Sequence, residues 1–240
     1  MSDGENIGSP FAFYAFLQLF EYFREDGDKL RKDKTDNEEY FYKVCKEIYP
    51  NFDSVDLESK VSLFVTWKKK SVHTHHSDPY ALRGCIGTFS KLPILICLEK
   101  YSLIAALEDT RFPPISKDEL PKLKCSTNLL QHFKVIYDGR WKRGSINNWE
   151  IGKHGIELRF KHPKIGKLLS ATFLPEVMVE QKWNQEETFL NLIEKAGCWD
   201  YVNEVFDHHE KYFVEVIRYE GLKSSITYND FIEKLEKTTE

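Results

Sequence analysis

Residues 11–23, FAFYAFLQLFEYF, limit what this chain can fold into more than any other stretch. A segment this apolar has to be buried, and burying it calls for a large core around it. The rest of the chain can supply that core, with 17 Phe, 12 Tyr and 5 Trp in 240 residues. A membrane anchor is the competing reading. Length argues against it, because a span needs about 20 apolar residues. Ser9 can cap the segment and Pro10 suits a first helical position, so the spacing predicts a buried helix from Pro10 to Arg24. The preceding MSDGENIGS is acidic and polar, with no positive region typical of a signal peptide. Residues 1–9 are expected to form a disordered tail.

Beyond the helix the pattern changes repeatedly. Residues 25–37 are almost wholly charged and read as a solvated loop. An amphipathic helix is expected from Glu38 to Ile48. VSLFVTW, 61–67, reads as a strand, and residues 68–81 as the loop of a long hairpin leading into LRGCIGTF, 82–89. Helical periodicity runs from about Pro93 to Asp109, with the prolines of RFPPI expected to end it. SKDEL, 116–120, reads as a short capped turn, and CSTNLLQHFKVIY, 125–137, as a strand. WEIGKHGIELRF, 149–160, reads as a strand pair around a tight turn between Gly152 and Gly155. LLSATFLPEV leads to a helix from Pro175, and ETFLNLIEKAG is a helix with Gly197 as its C-cap. YFVEVIRY is a further strand and NDFIEKLEK a last helix. Hairpins and helices link the strands without a regular βαβ repeat. The fold class is therefore α+β, with one domain over 10–237.

LRGCIGTF places two glycines, an arginine and a cysteine inside a strand pattern. Alternation puts Arg83, Cys85 and Gly87 on one face, with Arg83 and Cys85 about 7 Å apart. An arginine that close favours a thiolate. Gly87 clears space beside the sulfur and Gly84 permits an irregular backbone. The competing reading is a small buried cysteine with glycines that admit a neighbouring helix. A buried Arg83 needs a partner, for which Glu108, Asp109 or Glu176 could serve. Arg111 is either a second cation of the same cleft or a helix-end salt bridge. His154 either pairs with the cysteine as a base or is a plain turn residue. The candidate catalytic residues are thus Cys85, Arg83 and His154. The candidate ligand-binding residues are Arg83, Gly84, Gly87, Arg111 and Glu176.

His73, His75, His76 and Asp78 have ligand-like spacing, but no further pattern completes a metal site. They are expected to be solvated, and neither a metal nor a cofactor is expected. Five cysteines without a CxxC pair read as reduced thiols. A net charge of -4 and the absence of a basic motif argue against nucleic acid as a partner. No Gly-rich phosphate loop, HExxH or GxSxG motif indicates a reaction class. Three functions stand: an enzyme using a Cys/Arg cleft, a non-catalytic adaptor with a protein or small anionic ligand as partner, and, weakest, a nucleic-acid-associated factor.

LRGCIGTF, DTRFPPIS at 109–116, GKHGIEL at 152–158, LSATFLPEV at 169–177, and Trp183 with ETFLNLIEKAG occur in that order. Together they resemble the AMMECR-type domain family, in its eukaryotic branch, over about residues 11–230. The resemblance implies an antiparallel sheet flanked by helices, with a larger and a smaller lobe. It also implies an intracellular protein, cytoplasmic or also nuclear. Prokaryotic members are associated with Memo-type and radical-SAM-type proteins. The family's biochemical activity is unsettled, so the resemblance leaves the choice between enzyme and adaptor open.

Overall fold

The aromatic segment forms helix α1 (Pro10–Arg24), and its side chains are buried on all sides near its start. The computed structural model describes residues 9–24, 34–49, 59–71 and 79–237. Around α1 lie α2 (Lys34–Ile48), β1 (Lys60–Lys70), β2 (Tyr80–Pro93) and α3 (Ile94–Leu107). A 3-10 helix (Lys117–Lys122) precedes β3 (Leu123–Asp138) and the two-residue β4 (Arg143–Gly144). Then follow β5 (His154–Lys161), β6 (Leu168–Phe173), α4 (Pro175–Gln181) and α5 (Gln185–Lys195). A 3-10 turn (Trp199–Tyr201) leads to α6 (Val202–Asp207), α7 (His209–Tyr212), β7 (Phe213–Thr227) and α8 (Tyr228–Lys237). The fold is α+β. The strands form one sheet in the order β2-β1-β3-β7-β5-β6, with β4 paired to β3.

The chain divides into a larger unit, Met1–Leu129 with Leu222–Glu240, and a smaller one, Leu130–Gly221. In the larger unit α1 is the centre of an aromatic core. Phe16 sits 4.7 Å from Phe231 of α8 and 5.1 Å from Trp67 of β1, centroid to centroid, and Tyr14 meets Phe41 of α2 edge-on. Each fully buried Phe contributes about 1.5–3 kcal/mol through the area it removes from water. The Trp67 indole satisfies its N–H by donating to the Ser102 carbonyl of α3. The smaller unit has its own core, built from Ile156, Leu158 and Phe160 of β5 against Met178, Phe189 and Leu192. Among the described residues, no helix is long and apolar enough to cross a membrane.

Several boundaries differ from the sequence reading. Residues 34–37, expected in the charged loop, belong to α2. The hairpin loop is shorter than 68–81, because β1 runs to Lys70 and β2 starts at Tyr80. The three loop histidines and the N-terminal tail up to residue 8 lie outside the described residues. α3 stops at Leu107, ahead of the prolines at 113 and 114, so these do not end it. The 149–160 segment is one turn and one strand, not a strand pair, and Gly155 is inside β5, against the Tyr219 ring. Ala196 is the C-cap of α5, and Gly197 follows it at φ +84, where glycine carries no Cβ penalty.

Candidate functional site

The LRGCIGTF strand is β2, an outer strand of the sheet, paired antiparallel to β1. Its glycines have separate reasons. A Cβ on Gly84 would sit 2.1 Å from the Ala105 carbonyl oxygen, so the bare backbone lets α3 approach the strand. A Cβ on Gly87 would sit 2.5 Å from the Phe64 ring. The space expected beside the sulfur at Gly87 is therefore filled by an aromatic side chain.

The register shifts between Trp67–Gly84 and Lys68–Leu82, which leaves Arg83 as an extra residue on β2. Such a bulge breaks alternation and re-aims a side chain. Arg83 turns to Glu119, and none of the three carboxylates expected from the sequence is the partner. Its Nε donates to Glu119 Oε1 at 3.0 Å and its Nη2 to Oε2 at 2.9 Å. Nη1 donates to the Pro113 carbonyl and Nη2 also to that of Pro114. Four hydrogen bonds nearly saturate the five N–H groups of a guanidinium. Glu119 is equally occupied, since it also accepts from Lys69 Nζ at 2.7 Å and from the Ser116 N–H at 2.9 Å. Burial pushes its carboxyl up, but donation from Arg83, Lys69 and Ser116 outweighs this and brings it down to about 2. The pair is largely enclosed, with side-chain exposures of 12% and 11%.

Arg111 belongs to a second ion pair. Its Nε and Nη2 donate to the two oxygens of Asp109, and Nη2 also donates to the Cys85 carbonyl at 3.0 Å. Asp109 Oδ2 in turn accepts the Cys85 N–H at 2.8 Å. Both backbone groups of Cys85 are thus held by side chains from the loop after α3. Donation from Arg111 keeps the Asp109 carboxyl well below the usual carboxylate range, helped by the Cys85 N–H and opposed by burial. Cys85 lies opposite Thr66, and its Sγ is 3.2 Å from Thr66 Oγ1. With the Cys85 N–H turned to Asp109, this is a non-hydrogen-bonded cross-strand pair, the kind whose side chains approach most closely.

Arg83, Gly84, Cys85, Gly87 and Arg111 all fall in the larger unit, whereas His154 and Glu176 fall in the smaller. His154 opens β5 as a strand residue and is 2% exposed. Its Nδ1 accepts the Glu150 N–H at 3.0 Å, and its Nε2 lies 3.5 Å from Glu220 Oε1. Burial above all, and then the Arg218 charge, lower its affinity for a proton. Glu176 is in the first turn of α4. Burial, and to a smaller degree its charge, push the Tyr219 phenol up.

Glu119 is the residue missing from the sequence-derived site, and Asp109, expected as a possible partner of Arg83, pairs with Arg111 instead. Glu119 had a readable local signal, the Ser116-x-x-Glu119 spacing of a capping box, but its second task for Arg83 had none. Among the described residues, no group of three His, Cys, Asp or Glu side chains is arranged to hold a metal ion.

Residues 16–223 match the model of the family described as AMMECR1. An uncharacterised protein of Saccharomyces cerevisiae is 54% identical over 98% of this chain and 92% of its own length. An uncharacterised protein of Arabidopsis thaliana is 34% identical over 75% of this chain and 78% of its own. The solved structure of an uncharacterised protein from Pyrococcus horikoshii shares the fold. It has a TM-score of 0.57 and 23% identity, and the match covers 90% of each chain.

Proposed function

The chain belongs to the AMMECR1 family, and on that premise we propose that it is a non-catalytic protein-binding module that presents the 109–116 loop to a partner. One observation supports this above the others: the loop is pinned from within yet faces outward. Arg83 grips the carbonyls of Pro113 and Pro114, and Arg111 and Asp109 grip Cys85. Ile115 is buried and donates its N–H to the Ala106 carbonyl. Arg111, Pro113 and Pro114 remain exposed. A loop fixed by its scaffold loses little entropy on binding, which favours recognition. The motif cations serve as internal fasteners in this reading, leaving little of Arg83 to hold an anionic substrate.

The test is photocrosslinking in cells, with p-benzoylphenylalanine replacing Pro113 and, as a control, Trp141. A defined protein adduct at 113 and none at 141 is the expected result. An absence of any adduct at 113 would sink the proposal.

A cysteine-based enzyme is the second reading, favoured by the partly exposed Cys85 thiol against the Thr66 hydroxyl. Burial pushes the Cys97, Cys125 and Cys198 thiols up, and Cys45 up to about 11. On this reading iodoacetamide labels Cys85 ahead of the other four in the native protein. Labelling of Cys85 only after denaturation would end it.

A further inference from the structure

His132 stands out by its backbone. It lies inside β3 yet has φ +56, a left-handed conformation that a strand residue with a Cβ adopts at a cost. Among the described residues, the other non-glycine positions with positive φ are Lys142, in a turn, and Lys182, at the C-cap of α4, where such geometry is ordinary. In this conformation His132 Nδ1 lies 3.1 Å from Glu220 Oε2 on β7.

Glu220 is held from both sides. Its other oxygen faces the buried His154, its register partner across β5 and β7. The proton positions follow from the contacts. His154 Nδ1 accepts a backbone N–H, so in the neutral ring its proton is on Nε2, facing Glu220. The Glu220 carboxyl, ordinarily at 4.5, is lowered further by its contact with His132, so near neutral pH it is a carboxylate and can only accept. His132 Nδ1 must therefore donate. The lone pair of a neutral His132 is then on Nε2, on a side chain that is 66% exposed. A carboxylate that fixes one ring nitrogen and leaves the other open is the arrangement of an oriented base.

Basic side chains border this centre. Arg218 is two residues from Glu220 on β7, hence on the same face, and is steadied by the Asn148 carbonyl at 2.6 Å. Lys153 precedes His154, and its charge acts on both His154 and Glu220. Glu150 is the nearby opposing charge, 3.7 Å from Lys153 Nζ.

We infer that His132, oriented by Glu220 and His154, is a proton-accepting site for a small oxyanion that carries an acidic O–H, with Lys153 and Arg218 holding the anion. Dihydrogen phosphate is the minimal ligand of this class. Its O–H proton passes to His132 Nε2, leaving hydrogen phosphate beside an imidazolium whose other N–H stays on the Glu220 carboxylate. An ordinary exposed ion pair would make no such distinction among anions. The site is confined to the smaller unit and does not depend on the role of the 109–116 loop.

The experiment uses the full chain with 15N-labelled histidine, titrated with phosphate and, at matched ionic strength, with sulfate, which has no acidic O–H near neutral pH. Where the rings of the free protein are neutral, His132 is expected as the Nδ1–H tautomer and His154 as the Nε2–H tautomer. Phosphate should shift the His132 ring nitrogens saturably, with sulfate at least tenfold weaker. His132→Gln should abolish phosphate binding, and Lys153→Gln, at an exposed position, should weaken it at least threefold. Glu220→Gln should erase the preference for phosphate over sulfate. The proposal is overturned if the two anions bind alike, if neither saturates, or if His132→Gln binds phosphate as the parent does.

Discussion

Arg83 and His132 are both basic side chains set against a glutamate by an irregularity in a strand, and they differ in what is left over. At Arg83 the bulge turns a guanidinium into an enclosed pocket where nearly every donor is used, and Glu119 is just as fully engaged. At His132 the left-handed backbone brings one ring nitrogen to Glu220 and leaves the other outside. A saturated pair holds its neighbours in place. A half-used one keeps the capacity to exchange a proton. The residue types alone would have ranked them the other way, because an arginine next to a cysteine looks more reactive than a lone strand histidine.

The largest test of this contrast is Arg83→Ala. It leaves Glu119 enclosed without its main counter-charge and frees the Pro113 and Pro114 carbonyls. A loss of about 3–5 kcal/mol in urea unfolding is expected, the usual cost of breaking an enclosed ion pair. A loss below about 1 kcal/mol, typical of exposed pairs, would mean that Arg83 is not a fastener.

Acid should loosen the same pair by a slightly smaller amount. The Glu119 carboxyl is at about 2 in the folded chain against an ordinary 4.5. A depressed folded value means that the ionised form stabilises the fold. That contribution is complete above 4.5 and is lost as pH falls from 4.5 towards 2. It amounts to about 3 kcal/mol at most. Urea midpoints at pH 6 and pH 3 should differ more in the parent than in Glu119→Gln. Equal pH sensitivity of the two proteins would contradict the assignment.

The smallest effect is expected at His154. Burial lowers its folded value below the ordinary 6.5, so the neutral ring is the stabilising form. Stability is full above 6.5 and declines as pH falls below it. Melting temperatures at pH 7.5 and 5.5 should differ more for the parent than for His154→Gln. A parent that gains stability between those two values would show that the Glu220 charge, not burial, dominates at this ring.

What the sequence disclosed follows the range over which each interaction acts. α1, the motif strand and the capped turn at Ser116 depend on residues within a few positions, and their patterns are visible in a line of text. The start of α2 was hidden because its first turn is as charged as the segment before it. β7 extends eight residues past YFVEVIRY, through polar residues that alternate poorly. The partnership of Arg83 with Glu119 spans 36 residues and depends on a bulge, while that of His132 with Glu220 spans 88 and depends on which strands become neighbours. Nothing local to either residue encodes such a choice.

The clamp on Cys85 has a consequence for how copies of this chain behave towards one another. An outer strand offers unpaired N–H and C=O groups that a second chain can use as a template. At Cys85 both groups are already taken, by Asp109 and Arg111, so an incoming strand would have to displace an ion pair before forming its first hydrogen bond there. The DTR triplet thereby closes this one position of the sheet edge to a second strand.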